Sequence, residues 1–501
     1  MDQTNTPPDK PGNAPAGSPG GAPGGGSSTM SDHSGANTFS AETSIDGEEY
    51  KSTTGKENAL LLTGGNITLN DITILKTGDD DGEDSDFYGY NAAIFAMGDT
   101  DVKITNSKIE TNGAHANAVF SYGNALIDIA DSTITTSANN SGGIMVTGGG
   151  SISASNLNIS TAGNSSAAIR SDRGGGTIYV KGGTYKTTGV GSPAIYSTAN
   201  ITAEDANLIS TASEGVVIEG KNFITLKNTE LTATNSTLNG NSETYKTIFI
   251  YQSMSGDASE GTGTFTAEDS TITTNQGDHF FITNTTAVIN LSGNNFIQND
   301  ESGAFLRAQS GAWGNSGSNG GNVTLNTTSQ EIFGDIVIDG VSSLAANLQY
   351  SYLKGSFSGS GKISLTLSED SIIVLTSDSN ISSLENADES NSNIYANGHK
   401  LIVNGQEVSI NQSEAPESFL SSKTTETTST PVVTSNNDSG FPVWGIIAIV
   451  GGIVVLGAVL VTIIIKNRKK SAPETSQIYQ APEMPQTPTD HGQNNPTSFQ
   501  P

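Results

Sequence analysis

One short pattern recurs ten times in this chain, and its register constrains the fold more than any other feature. Its anchors are Ile67, Val102, Ile127, Ile152, Ile178, Ile201, Ile224, Phe265, Ile289 and Val323. Two residues after each anchor stands a second apolar or small residue, from Leu69 and Ile104 through to Leu325. Four residues after the anchors come Asp71, Asn106, Asp131, Asn156, Gly182, Asp205, Asn228, Asp269, Gly293 and Thr327. All but Thr327 are Asn, Asp or Gly, the types that tolerate the left-handed backbone of a tight turn. Seven residues after the anchors the chain is apolar again, at Ile74, Ile109, Ile134, Ile159, Tyr185, Leu208, Leu231, Ile272 and Phe296, failing only at Gln330.

Each unit therefore reads as a strand, a one-residue corner and a second strand. A third strand precedes the anchor, in segments such as NAAIFA (91–96), NAVFSY (117–122) and GGIMVT (142–147). Subtracting successive anchor numbers gives 35, 25, 25, 26, 23, 23, 41, 24 and 34, a base period near twenty-five with insertions. Such a period marks a repeat protein. Three short strands with period-two alternation cannot bury a face alone, but stacked coil on coil they bury a continuous apolar interior. Winding connections between parallel strands are right-handed almost without exception. The expectation is an all-β, right-handed parallel β-helix, with about fourteen coils spaced about 4.8 Å apart, or roughly 65–70 Å in all. Fifty-eight glycines and an aromatic content of only 6% suit its many corners and narrow interior. At the ninth position after the anchor, Thr111, Thr136, Thr161, Thr187, Ser210 and Thr274 form a hydroxyl row, interrupted at Ala233. These hydroxyls are expected to bond along the stack and to serve the fold.

Composition narrows the function. The absence of cysteine excludes a disulfide framework and a cysteine metal site. A net charge of −29 argues against nucleic acid and against an anionic bilayer surface. Residues 1–37 read as a disordered Pro/Gly/Ser-rich leader, 38–410 as the β-helix and 411–441 as a Ser/Thr/Pro-rich stalk. Residues 442–465 read as a transmembrane helix, because Val443 to Ile465 carries no charge and is long enough to cross a bilayer. The cations Lys466, Arg468, Lys469 and Lys470 follow at once and place residues 466–501, a basic flank and disordered tail, in the cytoplasm. The β-helix would then stand outside the cell, an orientation that calls for a signal upstream of, or removed from, the apolar-poor start MDQTNTPPDK.

The blocks GNSSAAIRSDRGGG (163–176), GSPAIYSTANIT (191–202), VVIEGKN (216–222), IYQSMSGDA (250–258) and WGNSGSNGGNVTLN (313–326) resemble those of adhesin-like β-helix surface proteins of anaerobic bacteria and methanogenic archaea. The resemblance spans roughly 40–410. It implies a pectate-lyase-like superfold at the cell surface, and brings no defined ligand or activity with it.

Candidate binding residues follow from alternation, since the residue after each inward one on the first strand points outward. In coil order these are Leu61, Phe95, Phe120, Met145, Arg170, Tyr196, Glu219, Tyr251, Ile282 and Arg307. Aromatic rings stack on sugar faces and Arg and Glu bond hydroxyls or carboxylates, so the mixed half of this strip is expected to bind an extended extracellular or host-cell glycan. Asp172, Arg173 and Trp313 lie at its edge, Trp313 on one of two Gly-rich insertions (252–263 and 308–321). The apolar half is expected to lie under the insertion 77–91, which carries Phe87, Tyr88 and Tyr90. That insertion also offers Asp79, Asp81, Glu83, Asp84 and Asp86 as oxygen ligands for calcium, against the simpler reading of a solvated acidic loop. The five histidines show no metal spacing, and no nucleophile elbow or phosphate loop is present. Arg170, Asp172, Arg173 and Glu219 are the one local group suited to a polysaccharide lyase or glycoside hydrolase. Catalysis and a ligand-free structural rod therefore stand as alternatives to a carbohydrate-binding surface protein.

Overall fold

Alternation decides which side chains enter the core. In Leu126–Ala130, Ile127 and Ile129 are buried while Leu126 and Asp128 face solvent, and the same pattern holds in strand after strand. The computed structural model describes residues 32–239, 244–253 and 255–418. The membrane segment, the cytoplasmic tail and nearly all of the leader and stalk expected from the sequence lie outside these residues.

The described chain is a parallel β-helix solenoid with three strands per coil. Its first sheet has 13 strands, from Gly35–Phe39 to Phe357–Gly359, and its second has 14, from Thr43–Asp46 to Ser383–Asn386. The third has 10, from Glu49–Ser52 to Asn295–Gln298, and a further four-stranded sheet runs from Glu331–Phe333 to Ile394–Tyr395. Every pairing in these four sheets joins one coil to the next in parallel. Among the described residues the one α-helix is Asp84–Tyr88, in the insertion 77–91.

The anchors from Ile67 to Ile289 stand in a single row on the second sheet. The tenth does not. Ile289 faces Leu325, and Val323 faces Ala287, so the sequence register at this coil is two residues early. With Leu325 as anchor both exceptions vanish. Ser329 takes the left-handed corner at φ 51°, and Ile332 is the buried residue that follows. Thr327 and Gln330 are instead buried polar groups that bond to Ser351 of the next coil. The next coil continues the pattern with Tyr350 at φ 49°.

The hydroxyl row is buried, but its bonds run differently from the expectation. Thr136, Thr161 and Thr187 each donate, at 2.5 Å, to the carbonyl five residues on, at Ser141, Ser166 and Ser192. They close the corner within their own coil. Bonds along the stack come from the serines at that corner, whose hydroxyls accept from the backbone N–H of Ala116, Ser141 and Ser166 in the preceding coil at 3.0, 2.9 and 2.9 Å. These buried hydroxyls and N–H groups thus find partners where water cannot reach, although the buried Thr111 hydroxyl at the start of the row has none.

The first strand begins at Gly35, inside the Gly-rich stretch read as leader. A Cβ at Gly35 would lie 2.5 Å from the Leu61 Cβ, so this glycine permits the first coil to close on the second.

Candidate functional site

The outer face of the first sheet was the predicted site, and its register differs from the prediction beyond Tyr196. The strip runs Leu61, Phe95, Phe120, Met145, Arg170 and Tyr196, then Val217, Phe249, Phe281 and Arg307. Glu219 and Tyr251 pair with each other one outward position further along their strands, and Ile282 points inward to the core. The cause is the connection after Ser210. The inward Ile195 comes eight positions after Thr187, but the equivalent Val216 comes only six after Ser210.

This face is covered. The insertion 77–91 lies against the coils holding Leu61, Ala92, Phe95, Phe120 and Met145, which form one apolar cluster, with Met97 and Tyr122 at its margin. A second cluster joins Val217, Phe249, Tyr251 and Phe281, with the half-buried Tyr196 and Trp313 against it. The Trp313 and Tyr251 rings lie 5.6 Å apart, so the tryptophan of the insertion 308–321 packs on the strip.

The charged candidates are drawn into the same cover. The Arg170 side chain is only 11% exposed and pairs with Asp86 at 3.4 Å and Asp172 at 3.3 Å. Asp86 also contacts the His115 ring at 2.9 Å, and this bond raises the His115 pKa above the usual histidine range. Burial pushes Asp172 up to about 6. Arg173 sits 3.7 Å over the Phe87 ring and bonds Asp257 at 2.6 Å, which ties the insertion 77–91 to the loop that follows Tyr251. Glu219, 1% exposed, accepts from the Tyr196 hydroxyl at 2.5 Å, from the Tyr251 hydroxyl at 2.9 Å and from Ser253. Burial holds both phenols well above the ordinary tyrosine range, which keeps them protonated as donors. Arg307 grips the buried Asp278 through two bonds of 2.7 and 3.2 Å.

The proposed calcium ligands do not converge. Asp86 is held by Arg170 and His115, the Asp79 carboxylate accepts from the Ala114 N–H at 2.8 Å, and Asp81, Glu83 and Asp84 are exposed. Asp80 turns inward to Ser85 and the N–H of Asp81 and Gly82. No three acidic or histidine side chains among the described residues gather into a metal-holding group.

Open concavities lie instead on and beside the second sheet. One, of about 520 Å³, is lined by Asp101, Lys103, Leu126, Asp128, Ser153 and Tyr179 among others. Leu126 is 51% exposed there, and the short Ser151 and Ser153 leave room beside it. The second, of about 510 Å³, lies between the corner before this sheet and the loop at 256–259. Arg173, Asn200, Lys221, Asn222, Phe223 and Asp257 line it, and Phe223 is 44% exposed. Arg173 is the one predicted binding residue that reaches this opening. The signal for the rest was present in the sequence as Leu126 and Phe223, large apolar residues at positions where alternation calls for polar ones. Compared with known proteins, the chain matches no family model, no curated protein and no solved structure.

Proposed function

We propose that this chain is a membrane-anchored, adhesin-like cell-surface protein whose β-helix binds extended carbohydrate through the open side of its second sheet. The observation that carries the reading is the cleft in which an exposed Phe223 stands beside Asn200, Lys221, Asn222 and Arg173. An aromatic face ringed by amide, ammonium and guanidinium donors is the chemistry that receives a sugar, with its apolar face on the ring and its hydroxyls on the donors. The surface location rests on the uncharged Val443–Ile465 segment and its basic flank. Among the described residues no helix is long and apolar enough to cross a membrane.

Binding is favoured over catalysis because Asp172 and Glu219, the carboxylates suited to hydrolysis, are both buried and engaged by protein donors and cations. The test is retention of the full chain, in detergent micelles, on an array of linear and branched glycans. Phe223→Ala is expected to weaken retention by about 1 kcal/mol, with no new sugar ends released from the bound glycans. A chain retained by no glycan would be a ligand-free structural rod, and glycan cleavage lost in Glu219→Gln would establish an enzyme.

A further inference from the structure

The two concavities abut. Gly176 lines one and its neighbour Thr177 the other, and Thr177 pairs with Asn200 of the next coil. A single row on the second sheet therefore runs without a break from Asn66 through Leu126, Ser151, Thr177 and Asn200 to Phe223. Six coil steps of about 4.8 Å make this row about 29 Å long. We infer that it is one ligand track, which takes a neutral linear glycan of about six sugars lying along the solenoid axis; this rests on the carbohydrate-binding reading above and specifies its ligand.

The coil rise is close to the length of one sugar in an extended chain, so each of the six coil steps along the row spans about one unit. Leu126 and Phe223, four coils or about 19 Å apart, supply two apolar platforms for sugar faces. Between them Ser151, Thr177 and Asn200 offer short hydroxyl and amide groups to the ring substituents. Charge selects the class. Among the described residues Lys103 and Lys221 on the track have no ion-pair partner, and neither do Asp101 and Asp128, while Arg173 is balanced by Asp257 at 2.6 Å. Two free cations against two free anions give a polyanion no net attraction, and a net charge of −29 on the chain repels it. A peptide strand is a poor occupant, because the backbone hydrogen bonds of a sheet lie within its plane and its face offers none to an added strand.

The test titrates the full chain with β-1,4-linked oligomers of glucose, mannose and N-acetylglucosamine, each from two to eight units, and with galacturonate oligomers of the same lengths. Affinity for at least one neutral series is expected to rise steeply to about six units and then level. Leu126→Asp, at a half-exposed position, and Phe223→Ala are each expected to weaken the six-unit ligand at least fivefold. Galacturonates are expected to bind at least tenfold more weakly. Affinity that does not depend on length, or a six-unit ligand indifferent to Leu126→Asp, overturns the track and leaves carbohydrate binding standing. Galacturonates that bind more tightly than every neutral series overturn the ligand class. Failure of every glycan overturns this inference and the functional reading together.

Discussion

At the corner between the second and third strands, ten consecutive coils from Asp71 to Ser329 place one residue each in the left-handed region, with φ between 46° and 67°. Asp and Asn alternate along most of this row, and the alternation has an electrostatic reason. Two carboxylates one coil apart would repel, whereas an amide donates to its neighbour, as Asn156 does to Asp131 and Asn228 to Asp205, both at 2.7 Å. Gly182 occupies the same conformation with no side chain at φ 67°. Gly182→Val, which forces a β-branched residue into that conformation, is expected to destabilise the chain by about 1–2 kcal/mol. Gly182→Asn is expected to cost less, both measured as shifts in chemical denaturation. A second residue-scale prediction concerns Asp172. Its folded pKa, pushed by burial up to about 6, lies above its ordinary value of 3.8, so the folded state holds the proton more tightly than the unfolded state. The stability this contributes is complete below about pH 4 and is lost as pH rises through about 6. Asp172→Asn cannot ionise, so its stability relative to the parent is expected to increase across that window in unfolding curves taken from pH 4 to 7.

At the scale of elements, the insertion 77–91 turns the outer face of the first sheet from a surface into a second core. Its short helix Asp84–Tyr88 brings Asp86 and Phe87 down onto Arg170 and Arg173. Arg170 thus holds the cover from beneath, through Asp86 of the insertion and Asp172 of its own coil. Truncating one partner of such a network leaves buried charges uncompensated, so Arg170→Ala is expected to cost about 3–5 kcal/mol. The loss would appear in thermal unfolding and would exclude a merely surface role for this arginine. Arg173 is half-exposed and joins two loops, so its removal has a local effect. Arg173→Ala is expected to speed proteolytic cutting within 77–91 and 252–263 while leaving the coils intact, as read by mass analysis of the fragments.

At the scale of the whole molecule, stability is largely a sum over neighbouring coils, because strand pairing joins each coil only to the one before and the one after. The insertion 77–91 and the Arg173–Asp257 pair add ties across several coils. Such a stack can carry a long ligand as readily as a short one, which suits the carbohydrate-binding role proposed above. The topology proposed above, with a membrane crossing at Val443–Ile465 and its basic flank inside, can be checked directly. Protease added to intact cells that make the protein is expected to remove the β-helix and leave a membrane-bound fragment bearing the Pro-rich tail. Survival of the β-helix until the membrane is opened would place it in the cytoplasm instead.

Sequence alone determined the coil, because a solenoid repeats one local rule: apolar at the anchor, apolar two residues on, and a left-handed residue at the corner. Each element of that rule is a property of a few adjacent residues, so Ile127, Asp131 and Ile134 declare their places without reference to the rest of the chain. The rule weakens where connections change length. Two residues lost after Ser210 moved Val216 into the row where Ile218 was expected, and the longer segment before Leu325 displaced the anchor by two. The site was less legible for a related reason. Alternation says which way Arg170, Tyr196 and Glu219 point, but not whether another segment lies over them. Only the tertiary structure decided that the insertion 77–91 and the loops after Tyr251 and Ala308 return to cover that face. Asp86 lies 84 residues from Arg170 in sequence, and 3.4 Å from it in space. The same folding left the neighbouring face open, where the exposed Leu126 and Phe223 could be read from sequence as misplaced apolar residues but not as parts of one row.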